Sequence, residues 1–248
     1  MPEAAQIDAP LSLGSFFPPE SDEESETELD QCFETQEVCL VEVTLRIRQF
    51  AYHSHNANRV WPGTFNLAEH LLAKSPDGGF RHSLGSVLEL GTATGLLAIR
   101  LALASKRHGG EDQPFLCNEV VTSDVADDEI EDCVEHNFKL NGFVTDRIPV
   151  HVPHTWGSGW RASASTKSLE EKKFDTIVAS DILLYVSAYP ALVVTLQEVM
   201  EPHSKFIMSW NRRMKESSEF FERMEAAGFD CHHEGKCVYT FVHATKRR

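Results

Sequence analysis

Residues 86–97, SVLELGTATGLL, constrain the fold more than any other stretch of this 248-residue chain. Val87, Leu88 and Leu90 form a short apolar strand that carries Glu89 and ends at Gly91. Thr92, Ala93 and Thr94 make a tight turn, and Gly95 opens the apolar helix LLAIRLALA. Strand, glycine turn and helix together present backbone N–H groups and a helix N-terminus to a ligand. The dinucleotide fingerprint G-x-G-x-x-G is absent, and no Gly-Lys-Ser/Thr follows to make a phosphate-binding P-loop. What is left is an acidic residue two before the first glycine and a second glycine four after it. On its own this pattern also suits a plain strand-to-helix turn.

A chain of this length can bury one sizeable α/β core. Its apolar content of 42% and charged content of 25% are those of a globular protein. No uncharged apolar run is long enough to span a bilayer, so no membrane association is expected. The first residues lack a basic region followed by an apolar core, so no secretory leader is expected and the expected location is cytoplasmic, with the nucleus as a further compartment. Charge is uneven: residues 1–37 hold 11 acidic side chains and no Lys or Arg, while the whole chain carries −15. Without a basic patch, nucleic acid is not an expected partner. Six cysteines show no C-x-x-C pair and read as reduced thiols. Cys231, His232, His233 and Cys237 invite a metal reading, but adjacent histidines on a strand point to opposite faces, so no metal is expected.

Taken in order, residues 1–28 are rich in Pro, Ser, Glu and Asp and read as a disordered acidic tail, with residues 29–248 as the folded domain. The pattern VCLVEVTLRIRQF reads as an N-terminal β element. Pro62 suits the start of a helix on which Phe65, Ala68, Leu71 and Leu72 share a face with the preceding Trp61. VVTSD is a buried strand ending at Asp124, where a carboxylate can read two ribose hydroxyls. Asp127 is the better cap for the next helix, which Gly142 stops. Residues 148–152 are a third strand, and the almost wholly apolar FDTIVASD is a fourth. The following ILLYVSAYPALVVTLQEVM reads as a helix interrupted near Pro190. KFIMSWN, an amphipathic helix stopped by Gly228, and a closing hairpin complete an α/β, doubly wound, mainly parallel seven-stranded sheet with one antiparallel strand.

These segments together resemble the protein-lysine methyltransferase group of the seven-β-strand, Rossmann-like S-adenosylmethionine-dependent methyltransferases (methyltransferase family 16). VWPGTFNLAEHLL resembles the signature helix ahead of motif I, ELGTATGLLAI resembles motif I itself, and SDVADDEIEDCVEHNFKLNG resembles the acidic segment after it. TWG and FDTIVASDILLY resemble the later motifs, and the five matches are collinear over residues 38–243. The resemblance implies S-adenosylmethionine as cofactor, with Trp61 and Trp156 flanking the adenosine and Gly91, Thr92 and Ala93 cradling the amino-acid portion. It implies Glu89 and Gly95 as parts of motif I, Asp124 on the ribose and Ser180 beside the methionine moiety. Asp181 and Tyr185 would face the substrate.

Two departures stand out. Ala93 replaces the usual middle glycine, and Asp181 and Tyr185 are four apart instead of the usual three. On a helical start such a pair still shares a face. The chemistry implied is N-methylation of a lysine side chain of a protein substrate by a monomeric enzyme: Asp181 would orient the incoming ammonium and Tyr185 would hold the neutral amine. The alternatives are another acceptor, such as protein arginine or a small amine, and a catalytically inactive binding module of the same fold.

Overall fold

The computed structural model describes residues 33–107, 116–164, 167–210 and 214–245. The expected acidic tail and its boundary at residues 28 and 29 lie outside them. Within the described residues, β1 (Phe33–Leu40) and β2 (Val43–Phe50) form an antiparallel hairpin. α1 (Gly63–Leu71) leads to β3 (Gly85–Leu90) and α2 (Leu96–Arg107), then β4 (Cys117–Asp124) and α3 (Asp128–Leu140). The short strand β5 (His151–Pro153) precedes α4 (Trp160–Ser163) and α5 (Lys167–Glu170). β6 (Phe174–Ser180), α6 (Tyr189–Val199), β7 (Met200–Ser209) and α7 (Ser218–Ala226) follow, and β8 (Phe229–Gly235) and β9 (Val238–His243) close the fold.

Seven strands form one sheet in the order β5-β4-β3-β6-β7-β9-β8, and β9 alone runs against its neighbours. The expected doubly wound, mainly parallel sheet is therefore the one observed. Helices cover both faces, which is why β3 and β6 are buried along most of their length and apolar at their centres. One core packs α1, α2, α3 and the hairpin against the sheet, and the other packs α4 to α7 on the opposite face. From β3 the chain winds outward through β4 to β5, then returns to place β6 on the other side of β3. That reversal opens a crevice at the carboxyl ends of β3, β4 and β6, the usual ligand position in such sheets.

The hairpin is fixed by side chains from the main domain. Asn137 and Asn141, one turn apart on α3, give their carboxamides to β2: each accepts from and donates to the backbone of Arg48 and Arg46 respectively, at 2.7–3.0 Å. They replace the missing neighbouring strand at that edge. Asn137 also donates to the Thr94 carbonyl at 3.0 Å, so hairpin, helix and glycine turn share one buried residue. The hairpin turn places both Val41 and Glu42 at positive φ, as a two-residue turn of this kind requires. Buried Arg100 on α2 holds it by donating to the Leu40 and Val41 carbonyls, each at 3.0 Å.

Three local expectations are corrected. The third strand is shorter and later than residues 148–152, because only residues 151–153 pair with β4. Phe65 is exposed at 37%, and Thr64 and Leu67 are buried in α1 instead. The reason is that Trp61 precedes the helix and does not share its periodicity. Residues 182–188 are not helical beyond a single 3-10 turn at Val186–Ala188, and α6 begins at Tyr189 with Pro190 in its first turn. Proline fits there because that position needs no backbone donor.

Candidate functional site

A cavity of about 220 Å³ occupies the crevice. Gly91 and Ala93 of the glycine turn, Asp124 at the end of β4, and Ser180 at the end of β6 line its inner wall. Trp61 and Trp156 give it aromatic sides, and Asp181, Tyr185, His55 and Asn56 also border it. Eight residues expected from the sequence to form the site therefore meet in one space. Glu89 and Thr92 border a smaller adjoining recess with Ser180 and Trp61. Gly95 borders neither: it starts α2 at positive φ and packs close to Val134 and Phe138 of α3.

The glycine turn is held by carboxylates. Glu89, wholly buried, accepts from the Thr92 hydroxyl at 2.7 Å and from the Ala98 N–H at 3.2 Å, bracing the turn against α2. Burial pushes its carboxyl up to about 8, with these two bonds opposing the rise. Asp124 accepts from the Ala93 N–H at 2.7 Å and from the Val125 N–H at 2.8 Å. Burial raises its pKa as well, and both N–H bonds offset part of that. Ala93 sits at φ +48°, the left-handed conformation that glycine takes without strain. The departure from glycine at this position is thus a real local cost, met by the Asp124 bond on its N–H.

Asp181 borders the cavity and also ties two elements together. It is 3% exposed, lies at φ +53°, and accepts from the Gly63 N–H at 2.6 Å, at the N-terminus of α1. A carboxylate suits a helix N-terminus, and Gly63 has no Cβ to block it: one there would lie 2.8 Å from Asp181 Oδ2. Thr64 and Ser180 add a hydroxyl pair at 2.9 Å. These contacts dock α1 on the end of β6 and so set Trp61 over the glycine turn. Because residues 182–185 are not helical, Asp181 and Tyr185 do not share a helix face. Tyr185 is 47% exposed and bonds to Asn56 instead.

The segment 51–60 between β2 and α1 roofs the cavity through His55, Asn56 and Ala57, residues that sequence reasoning did not single out. Phe50 N–H donates to the Asn58 carbonyl at 2.9 Å, and Gln49 accepts from the Val60 N–H at 2.8 Å, closing the loop at its base. Buried His53 faces Asp127 and Glu129 at the start of α3, with Nε2 at 3.4 and 3.9 Å from their oxygens. This is the group among the described residues with spacing that could hold a metal ion. Its wiring does not suit a metal: His53 Nδ1 accepts the His55 N–H at 3.2 Å, which leaves the ring proton on Nε2, the nitrogen that faces the carboxylates without a hydrogen bond to them. A metal-bound imidazole instead donates from its second nitrogen. The histidines have no period or motif, so nothing in the sequence marks them. Cys231, His232 and His233 lie on the edge strand β8 with exposed side chains, and Cys237 lies in the turn after it.

A family model described as lysine methyltransferase matches residues 40–227. The chain belongs to the lysine methyltransferase family. The match takes in the hairpin's second strand, the roof, the glycine turn and the sheet through α7. The family member is 28% identical over 165 residues to protein-lysine N-methyltransferase EFM3 of Chaetomium thermophilum, covering 66% of this chain and 45% of that protein. It thus spans less than half the length of that curated relative. Among solved structures, the T. thermophilus 16S rRNA N2 G1207 methyltransferase (RsmC) in complex with AdoMet and guanosine superposes with a TM-score of 0.56 at 17% identity. That match covers 90% of this chain and 53% of that one, and shows a shared fold.

Proposed function

We propose that this protein is an S-adenosylmethionine-dependent N-methyltransferase that acts on a lysine side chain of a protein. The observation that carries the proposal is the meeting of the glycine turn, Asp124, Trp61 and Trp156 in one cavity of a lysine methyltransferase-family fold. The residues suit the cofactor. Asp124 has two carboxylate oxygens at the tip of the second strand, where it can accept from both ribose hydroxyls. The indoles of Trp61 and Trp156 offer flat faces to an adenine and exclude water.

S-adenosylmethionine, when bound, supplies a methyl group on an electrophilic sulfonium. What the chain contributes is position and a dry environment, since methyl transfer to an amine creates little new charge for a catalyst to neutralise. Trp61, Ile182 and Leu184 make the wall apolar, which disfavours an ammonium and favours the neutral amine that must attack. Asp181 gives one carboxylate oxygen to the N-terminus of α1, and the neutral groups at the mouth, Asn56 and Tyr185, are placed to meet the acceptor. We further propose that the enzyme works as a single chain on a protein substrate, in the cytoplasm with the nucleus as a further compartment.

The proposal is tested by incubating purified protein with labelled S-adenosylmethionine and a cell extract, then hydrolysing the labelled proteins. Methyl-lysine as the labelled product, lost in Asp124→Ala, is expected. Label that ends in methyl-arginine, or only in small amines, contradicts the lysine acceptor.

A further inference from the structure

Asn56 occupies an unusual position for a loop residue. Its backbone lies at φ +59°, a left-handed conformation that asparagine tolerates better than most residues. Its N–H donates to the His53 carbonyl at 3.1 Å, and its own carbonyl accepts the Trp61 indole N–H at 2.9 Å. With the backbone fixed at both ends, the side chain is aimed across the cavity mouth, where Nδ2 donates to the Tyr185 hydroxyl. Backbone strain of this kind persists where surrounding contacts over-determine it, commonly beside a functional site. Asp181, the carboxylate nearest in sequence to Tyr185, is taken by Gly63.

We infer that Asn56 is the acceptor-recognition residue of this site and works with Tyr185 to orient the incoming amine, an assignment that rests on the methyl-transfer reading. A neutral primary amine has two N–H donors and one lone pair. The Asn56 carboxamide oxygen and the Tyr185 oxygen accept the two N–H groups, which leaves the lone pair directed at the methyl carbon. The N–C bond forms as the S–C bond breaks, the electron pair of that bond stays on sulfur, and the ammonium product releases its proton to solvent. A carboxamide suits the task because it binds an amine without favouring its protonated form, whereas a carboxylate at the same place would hold the ammonium.

The variants follow from the backbone. Asn56→Gly keeps the left-handed turn and removes the side chain, and Asn56→Asp keeps the shape and adds a charge. Two acceptors are used, n-butylamine and the proteins of a cell extract, together with calorimetric binding of S-adenosylmethionine. For Asn56→Gly the expected result is cofactor affinity within about threefold of wild type and a fall of about tenfold in kcat/KM for both acceptors, the worth of one lost hydrogen bond. For Asn56→Asp the pH profile of kcat shifts upward, because the carboxylate stabilises the bound ammonium and the ES complex is the species whose titration kcat reports. His55, Asp124, His154, Asp181 and Tyr185, the other titratable groups bordering the cavity, are unchanged in that variant.

Wild-type transfer efficiency in Asn56→Gly overturns the inference, and so does a parallel loss of cofactor binding, which would mean that Asn56 acts only by seating Trp61. An unshifted profile in Asn56→Asp overturns it too. If wild type methylates n-butylamine but no protein, the protein-lysine reading fails while Asn56 is still judged on n-butylamine. No transfer to either acceptor overturns both.

Discussion

Glu89 is a buried carboxylate whose pKa, about 8, lies well above its ordinary value of 4.5. Between those two values the folded protein holds a proton that the unfolded chain has released, so stability falls as pH rises from about 4.5 through about 8. Glu89→Gln keeps an oxygen for the Thr92 hydroxyl and the Ala98 N–H and removes the titration. The melting temperature of this variant should exceed that of wild type at pH 8, and the gap should close near pH 5. A gap independent of pH would show that Glu89 does not titrate in this range. Ala93 is the opposite kind of residue, one whose cost lies in its backbone. Ala93→Gly relieves a left-handed alanine and should be neutral to stabilising by up to about 1 kcal/mol in chemical denaturation. A loss of stability would mean that the alanine methyl packs usefully.

At the scale of elements, α1 is set by its docking on β6. Its N-terminus meets the Asp181 carboxylate through Gly63 N–H, and Thr64 meets Ser180. Asp181→Ala leaves that buried N–H without its acceptor and puts alanine at positive φ, so it should cost about 2–4 kcal/mol of stability. Asp181→Asn keeps an acceptor oxygen and should cost less than half of that. Equal losses in the two variants, measured by urea unfolding, would mean that the charge at the helix N-terminus matters more than the hydrogen bond. Activity lost in Asp181→Ala is therefore no sign of contact with substrate. The strand tips and the glycine turn were legible in sequence because the apolar runs ending at Asp124 and Asp181 stand in the same order as the glycine turn and the other motifs, although the structure ends the fourth strand one residue earlier, at Ser180. The role of Asp181 was not, since it depends on Gly63, a residue 118 positions away with no local signal. The segment 182–188 misled for a related reason: it runs without a break into the apolar helix that begins at Tyr189, while Ile182, Tyr185, Val186 and Ser187 are only middling helix formers and hold a path that is not α-helical.

At the scale of the whole molecule, a mainly parallel sheet with one antiparallel strand followed from the alternation of apolar strands and amphipathic helices, and the strand order seen in the structure fixes where the crevice opens. The roof did not follow. Residues 51–60 are polar, aperiodic and histidine-rich, and their placement rests on long-range contacts: His53 to the start of α3, Asn56 to Tyr185, and Trp61 to Asn56. The docking of the hairpin on Asn137 and Asn141 was equally invisible, because a strand edge completed by side-chain amides has no sequence period. Yet the roof, the glycine turn and the tips of β4 and β6 together enclose the cavity, and the proposed function depends on that enclosure holding S-adenosylmethionine. The most direct test is calorimetric titration of S-adenosylmethionine into the wild-type protein, Asp124→Asn and Trp61→Ala. One site per chain is expected, with affinity reduced about tenfold or more in each variant, as expected when a charge-assisted hydrogen bond or an aromatic contact is lost. Absence of binding to wild type, or binding of equal strength in all three, would contradict the assignment of this cavity to the cofactor.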